Sequence, residues 1–498
     1  MLLQALAVAL HRVHARANLD KCRQLVSNDS TPAQPWWRVQ DGGLRQAGEL
    51  VRTRLLNTKD NTGVLGVTID PRASMHQQRR QVAAAVCTQL ARTGGAAACH
   101  GVFSPRHARF NLQSAYAKML YACEVWSDTG QGAHTKLNTA MAQAAARALE
   151  AQGAPHLFTL GEMGLMTATA KHYQQRLAYW MQLVITPTIE YTNYAYRASL
   201  ATLQAGCTSA SWCKETRTML AHMATGDGDG AAKAGQAWCN GDVEAQRAWV
   251  ATQYEEAAGD NLPSEEQLCD YDTILGVRTT VRQIAKNIVF DWAQEQWRKD
   301  VRSTNSLKDL YPYLHPNLEF ARYLDAAHPP QATRLRVQLR SGRYPLAASR
   351  AYQLAGHSRA GTVYRRNAKC KLCRDGPAED VEHFVLHCEA LTGVRGDVAA
   401  RLRAVCKYPA VLALLDPTHP KHSNALLLMV LGGNLAPMDA QLAAWHEARG
   451  AAMKDGTPPK PHPCLDRLAT LKESGSMLLD LEKERTRLLE AQTEDNSA

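Results

Sequence analysis

Three cysteines and one histidine at close spacing constrain the fold of this chain more than any other feature of its sequence. Cys370 and Cys373 are separated by two residues, His383 follows after nine more, and Cys388 after another four. The Cys-x-x-Cys turn brings two thiolates to one ion, and the DGPAED stretch at residues 375–380 lets the chain double back. Three sulfurs and one imidazole form the closed shell of a structural zinc site, which leaves no position for a reacting water. The spacing therefore predicts a structural, non-catalytic zinc module.

The identity of the fourth ligand is open from the sequence. His387 lies four residues after His383, on the same face of the short helix expected over residues 381–391, and competes with Cys388. Cys388 is preferred because thiolate is the stronger zinc ligand. Unliganded thiols in a reduced core, or a disulfide within the Cys-x-x-Cys pair, are the alternatives to a metal site.

Positive charge is concentrated immediately before and around this motif. Residues 334–374 contain nine arginines, two lysines and no acidic residue, which makes +11 against +10 for the whole chain, so the remainder carries −1. Such concentration is typical of a surface that meets polyphosphate, although a solvated basic face without a partner is the alternative. Three tyrosines among the cations, Tyr344, Tyr352 and Tyr364, are expected either to stack on bases or to lie in the core. The cations expected to contact RNA or DNA are Arg334, Arg336, Arg340, Arg343, Arg365, Arg366, Lys369 and Lys371.

Hydrophobic periodicity over the rest of the chain predicts a mainly α fold. The amino-terminal 26 residues favour a helix followed by a strand-like segment from Leu19 to Val26, and another short strand is expected from Val64 to Ile69. The other predicted helices are Gln77 to Ala151 with a break at Pro105, Thr167 to Val184, Val281 to Val301, and a leucine-rich tail from Asp466 to Ala491. Glycine and alanine dominate residues 201–270, which favours an insertion or linker.

Targeting signals and cysteine usage indicate an intracellular protein, nuclear or cytoplasmic. No stretch approaches the ~20 apolar residues that cross a bilayer. The first residues lack a basic region before their apolar run, which Gln4 interrupts, so secretion is not expected. Thirteen cysteines, an odd number at irregular spacing, favour a reducing compartment.

The basic segment and the cysteine motif together resemble the zinc-binding C-terminal region of non-LTR (LINE-like) retrotransposon reverse transcriptases. The resemblance lies in LRVQLRSGRYPL at residues 335–346 and RRNAKCKLCRDGPAEDVEHFVLHCEAL at residues 365–391. In that family a Leu-x4-Arg-x5-Leu segment precedes Cys-x-x-Cys, Glu-Asp-x-x-His and a final Cys. The matching positions are Leu335, Arg340, Leu346, Cys370, Cys373, Glu379, Asp380, His383 and Cys388.

Earlier parts of the chain are similar to the polymerase region of the same family, more loosely. Asn18, Lys21 and Cys22 resemble the segment after the catalytic box, and GVLGVTID at residues 63–70 resembles the primer-grip hairpin. The thumb helices of the family are matched at Tyr121, Glu124, Trp126, Glu162, Gly164, Leu165 and Trp180.

Polymerisation in this family requires an Asp-Asp box that holds two Mg²⁺ ions, and this sequence contains no adjacent Asp-Asp pair. The resemblance therefore implies a fragment, such as a 5′-truncated element or partial gene product, that needs Mg²⁺ only if an upstream polymerase part exists. No catalysis is expected from the chain as given. The expected function is nucleic-acid binding, and the alternative is a zinc-stabilised protein-interaction module whose C-terminal helix contacts a partner.

The resemblance implies a mainly α architecture with a helical thumb-like region, a small β remnant at the N-terminus and a small Cys-Cys-His-Cys zinc module. The expected division is 1–75 palm remnant, 76–200 thumb-like region, 201–270 insertion or linker, 271–333 helical connector, 334–400 basic zinc module and 401–498 helical tail.

Overall fold

A computed structural model describes most of the chain after residue 75 and six short strands before it. Before residue 76 the described segments are 23–25, 36–38, 50–52, 54–56, 62–64 and 67–69. The later ones are 76–99, 105–120, 131–187, 191–206, 212–224, 243–304, 311–324, 330–347, 368–373, 378–406, 422–433 and 464–495, together with residues 123, 234, 307, 416 and 418. The helix expected at the extreme N-terminus lies outside these residues.

The fold is mainly helical, as the sequence predicts. The first helices are α1 (His76–Cys99), α2 (Pro105–Met119), α3 (Gln131–Ala148), α4 (His156–Glu162), α5 (Ala168–Ile185), α6 (Tyr191–Gln204), α7 (Trp212–Ala224) and α8 (Val243–Ala258). The later ones are α9 (Tyr271–Ser303), α10 (Tyr311–Leu314), α11 (Pro330–Arg340), α12 (Thr392–Arg395), α13 (Val398–Val405), α14 (His422–Val430) and α15 (Cys464–Asp495). Within the described residues none of these helices is both long and apolar enough to cross a membrane.

The described strands form three small two-stranded pairs near the N-terminus. β1 (Arg23–Leu25) is parallel to β4 (Arg54–Leu56), and β2 (Trp36–Arg38) is antiparallel to β3 (Leu50–Arg52). β5 (Thr62–Val64) and β6 (Val67–Ile69) form a hairpin. The sequence predicts one strand from Val64 to Ile69, but the structure has two short strands there, with Val64 paired to Val67 across a tight hairpin.

The larger hydrophobic core is built around helices α5 and α9, which pack against each other. Thr167 accepts a hydrogen bond from the Ala170 amide and so caps the start of α5. Trp180 of α5 is fully buried and stacks on Trp249 of α8 with ring centroids 5.7 Å apart. The indole N–H of Trp180 also donates to the Gln246 carboxamide, so α8 is fixed to this core by apolar and polar contacts together.

Residues 201–270 do not behave as a linker where the structure describes them. Helices α7 and α8 occupy much of this segment, and Cys213, Met219, Met223 and Val250 are buried in the same core as α5. Arg176 of α5 donates to the Thr216 hydroxyl of α7 at 2.9 Å. The glycine and alanine content does not indicate a linker here. The glycines lie between helices, and the apolar faces of those helices are buried in the core.

A second hydrophobic core surrounds the predicted zinc module. It combines residues of α11, the Cys/His segment, α13, α14 and α15. Met477, Leu478 and Leu481 of α15 are fully buried there, beside Leu335 and Leu339 of α11. The module therefore extends beyond residues 334–400, and the C-terminal helix is part of its core.

A buried ion pair joins the two cores. Arg340 Nη2 lies 2.7 Å from Glu162 Oε1 at the end of α4, and neither side chain is exposed. Glu162 is positioned by a tight backbone contact, since its carbonyl accepts from the Ala321 amide at 2.8 Å. At Gly164 φ is +59° and an added Cβ would lie 2.3 Å from the Phe320 nitrogen, so only glycine fits there.

Candidate metal centre

The chain reverses between the first two cysteines and the histidine, as the turn sequence predicts. Lys369 and Ala378 form an antiparallel bridge, and the Glu379 amide donates to the Ala368 carbonyl at 2.9 Å. Asp380 then accepts a hydrogen bond from the His383 amide at 2.8 Å through Oδ1. The two arms of the motif are thereby held side by side by backbone contacts.

A single π-helical turn from His383 to His387 decides whether His387 or Cys388 joins the other three side chains. The Cys388 amide donates to the His383 carbonyl at 2.7 Å, a bond that spans five residues. In an α-helix residue i+4 would return to the face of residue i, which is the argument for His387, but in a π-turn residue i+5 does so. Cys388 therefore faces the cluster. The His387 side chain lies half-exposed, with Nε2 3.4 Å from Glu382 Oε1.

The structure brings together the four side chains that the spacing predicts. The ligand atoms of Cys370, Cys373, His383 and Cys388 all lie within 4.8 Å of one another. Cys373 Sγ is 3.6 Å from His383 Nε2 and 3.6 Å from Cys388 Sγ. Such a group could hold one metal ion, and none of these thiols is in a disulfide.

Mutual hydrogen bonding makes one of the thiols easy to ionise and another hard. The hydrogen bond from Cys388 lowers the pKa of Cys370 to about 4, because it stabilises the thiolate. The same bond raises the pKa of Cys388. Negative charge is thus already favoured in the cluster, and a bound cation would favour full deprotonation.

A guanidinium lies beside the cluster without occupying it. Arg395 of α12 donates to the Cys388 carbonyl at 3.1 Å and to the Thr392 hydroxyl at 3.1 Å. Burial lowers the pKa of Arg395, while the thiols of Cys388 and Cys373 oppose that shift. The arginine therefore fixes the end of the π-turn.

Glu379 links the Cys/His segment to the C-terminal helix α15 through hydrogen bonds. Its Oε2 accepts from the Ala347 amide at 2.7 Å, and Oε1 accepts from Arg485 Nε of α15 at 2.9 Å. Arg485 also lies over the Tyr344 ring, at 5.6 Å from its centroid. A carboxylate next to the motif therefore has a structural role.

The π-turn gives a direct prediction for the two rival ligands. We expect Cys388→Ser to weaken metal binding by more than about 100-fold, beyond the 10–100-fold that loss of an outer contact causes. His387→Ala should leave the affinity and the metal stoichiometry unchanged. Competition with a chelator of known affinity measures both, and the reverse order of effects would assign His387 as the ligand.

Two of the predicted nucleic-acid contacts are wrong, because Arg336 and Arg340 are buried. Arg336 donates to the Val430 and Leu471 carbonyls and to the Ser474 hydroxyl, all neutral acceptors. Burial lowers its pKa to about 9, so it stays protonated near neutrality. Since Arg340 is occupied by Glu162 and the Leu431 carbonyl, neither guanidinium can reach a phosphate.

The other predicted cations differ in how accessible they are. Arg334 is partly exposed, and its Nε lies 2.6 Å from Glu150 Oε2. Arg343 is half-buried against Gly153. Lys369 and Lys371, on either side of Cys370, are exposed. Arg365 and Arg366 lie outside the described residues.

The tyrosines and the C-terminal helix favour internal packing. Tyr344 is buried and stacks on Phe384 with ring centroids 5.5 Å apart, so it is a core residue. Tyr352 and Tyr364 lie outside the described residues. Leu478 and Leu481 of α15 are buried in the module's own core, so packing within the chain covers that part of the helix.

The distant partners that support the site are not predicted from the sequence: Glu162 is matched only as a thumb position, and Arg485 is not singled out at all. Glu162 pairs with Arg340, 178 positions away, and Arg485 pairs with Glu379, 106 positions away, so no local pattern reveals these contacts.

Comparison of the chain with models of protein families, with curated proteins and with solved structures finds no match.

Proposed function

We propose that the chain binds one structural zinc ion through Cys370, Cys373, His383 and Cys388, and that the zinc module binds RNA or DNA. The observation that supports the proposal best is a three-sulfur, one-nitrogen cluster directly beside two exposed lysines. The chain would then be the C-terminal part of a non-LTR retrotransposon reverse transcriptase, acting inside the cell without catalysis of its own.

Zinc fits the donor set and its spacing. Zn–S bonds of about 2.3 Å and Zn–N bonds of about 2.0 Å in a tetrahedron place the ligand atoms roughly 3.5–3.8 Å apart. The separations from Cys373 Sγ to His383 Nε2 and to Cys388 Sγ are both 3.6 Å. Thiolate and imidazole select zinc over Mg²⁺ or Ca²⁺, which take oxygen ligands. Zinc would supply folding energy to the second core rather than a reactive water.

The electrostatic support comes from the cations that remain available. The structure describes six of the eleven positive residues between 334 and 374: Arg336 and Arg340 are buried, Arg334 and Arg343 are partly exposed, and Lys369 and Lys371 are exposed. Lys369 and Lys371 belong to the loop that the metal would hold rigid. A rigid loop loses little conformational entropy when its cations meet phosphates, which favours binding.

Charge reversal of the two lysines tests nucleic-acid binding. We expect Lys369→Glu with Lys371→Glu to weaken binding at least about tenfold at low salt and to reduce the salt slope by roughly two. The matched control is Arg282→Glu with Lys286→Glu on the exposed face of α9, which changes the net charge equally. Fluorescence anisotropy with labelled RNA and DNA over a salt series measures both.

The outcomes separate nucleic-acid binding from the alternative function. Equal loss in the test and control variants would mean that net charge alone acts, which contradicts a site on the zinc module. Salt-independent or absent binding by the zinc-loaded chain would also contradict it. A protein-interaction module would then be the better interpretation.

A further inference from the structure

We propose that Cys373 is a modification site, at which hydrogen peroxide oxidises the cluster, and that Cys388 completes the reaction by forming a Cys373–Cys388 disulfide. The inference deepens the zinc part of the proposed function and is independent of nucleic-acid binding.

The four ligands differ in how far solvent reaches them. Cys370, His383 and Cys388 are 4%, 4% and 1% exposed, whereas Cys373 is only half-buried. Thiol oxidation follows exposure as well as thiolate character. Cys373 is therefore the sulfur that a small oxidant meets first.

Cys388 is placed to trap the first oxidation product. Its Sγ lies 3.6 Å from Cys373 Sγ, so the two sulfurs must approach by roughly 1.6 Å to reach the disulfide bond length of about 2.0 Å. Cys370 Sγ also lies within 4.8 Å of both sulfurs, but Cys370 is only 4% exposed, and His383 Nε2, 3.6 Å from Cys373 Sγ, cannot form such a bond. Cys373 lies in a short bend and Cys388 directly follows the π-turn.

The chemistry is balanced with peroxide as the only oxidant. The Cys373 thiolate attacks one peroxide oxygen, the O–O bond breaks, hydroxide leaves and a sulfenic acid forms. The Cys388 thiolate then attacks that sulfur, the S–O bond breaks, a second hydroxide leaves and the disulfide forms. Two thiolates lose two electrons in total, and peroxide becomes two hydroxide ions.

Oxidation would dismantle the metal site. Cys370 and His383 would be the only ligands left, which is too few for the closed four-ligand shell of structural zinc. The consequence is release of one zinc per disulfide formed. Reduction by a dithiol in the presence of zinc should restore the site, because each sulfur is still at the disulfide level.

Peptide mapping of the full-length, zinc-loaded chain tests which sulfurs pair. Trypsin cleaves after Lys369, Lys371, Arg374 and Arg395, so each cluster cysteine falls in its own peptide, namely 370–371, 372–374 and 375–395. After limited peroxide and alkylation of free thiols, we expect a disulfide between peptides 372–374 and 375–395, with zinc release in step. The exposed Cys87 is an internal control for alkylation of an ordinary accessible thiol.

Before oxidation, the alkylation rates give a second readout that needs no variant. We expect iodoacetamide to modify Cys373 at least about tenfold faster than Cys370 or Cys388 in the zinc-loaded chain. A dominant Cys370–Cys373 link, a Cys370–Cys388 link, or equal modification of all three sulfurs would overturn the proposal. Zinc content is measured first, so absence of zinc is scored against the proposed function and wrong pairing against this inference.

Discussion

Replacing Cys370 and Cys373 by serine is expected to abolish zinc binding and to unfold the second core. Two of four ligands are lost, and structural zinc contributes apparent binding energies of about 10–16 kcal/mol in small zinc domains. Buried apolar residues such as Phe384 and Leu478 would lose the framework that orders them. Hydrogen exchange followed by mass spectrometry should show loss of protection over residues 378–406, while α5 and α9 keep theirs.

The matched control removes two cysteines without touching the cluster. Cys87 and Cys269 are exposed and lie elsewhere in the fold, so Cys87→Ser with Cys269→Ser should retain both zinc and protection. If the double variant at Cys370 and Cys373 keeps its protection, the metal does not stabilise this core. If the control variant loses zinc, the ion is bound somewhere else.

Replacing Arg340 by methionine is expected to destabilise the chain by about 3–5 kcal/mol, because it leaves the Glu162 carboxylate buried without a counter-charge. Burial lowers the pKa of Arg340, but the charge of Glu162 raises it. As a result, the pKa of Arg340 lies above its ordinary value. The Arg340 guanidinium also lies over the Tyr323 ring, 4.8 Å from its centroid, and this cation–π contact further stabilises the arginine. Denaturant unfolding gives the change in free energy.

A double variant separates the charge effect from the packing effect. Arg340→Met with Glu162→Leu removes both charges and should recover most of the loss, since apolar pairs often replace buried ion pairs at little cost. The exposed pair Arg487 and Glu484 is the control, and Arg487→Met should leave stability unchanged. An Arg340 variant as stable as its control would show that the two cores are not joined by this pair.

The helices and the Cys/His cluster could be predicted because their signals are local. Thr167 marks a helix start through its own side chain, and the four ligands lie within nineteen residues, Cys370 to Cys388. The fourth ligand is a finer matter. If the segment were α-helical, His387 and Cys388 would be nearly equivalent candidates for the fourth position of the cluster. The residue spacing does not reveal the π-turn that favours Cys388.

The basic surface was overpredicted because a charge count does not distinguish exposed from buried arginine. Arg336 and Arg340 are spaced i, i+4 on the inner face of α11, and their partners come from α4, α14 and α15. Composition likewise suggested a linker at residues 201–270, where α7 and α8 complete the larger core. Both errors arise from tertiary contacts that a single sequence does not display.

X-ray absorption at the zinc edge tests the central claim most directly, because it counts the atoms around the ion. The account predicts one zinc per chain with three sulfurs at about 2.3 Å and one nitrogen at about 2.0 Å. A chain that binds no zinc after refolding with it, or a shell made mostly of oxygen and nitrogen, would contradict the account.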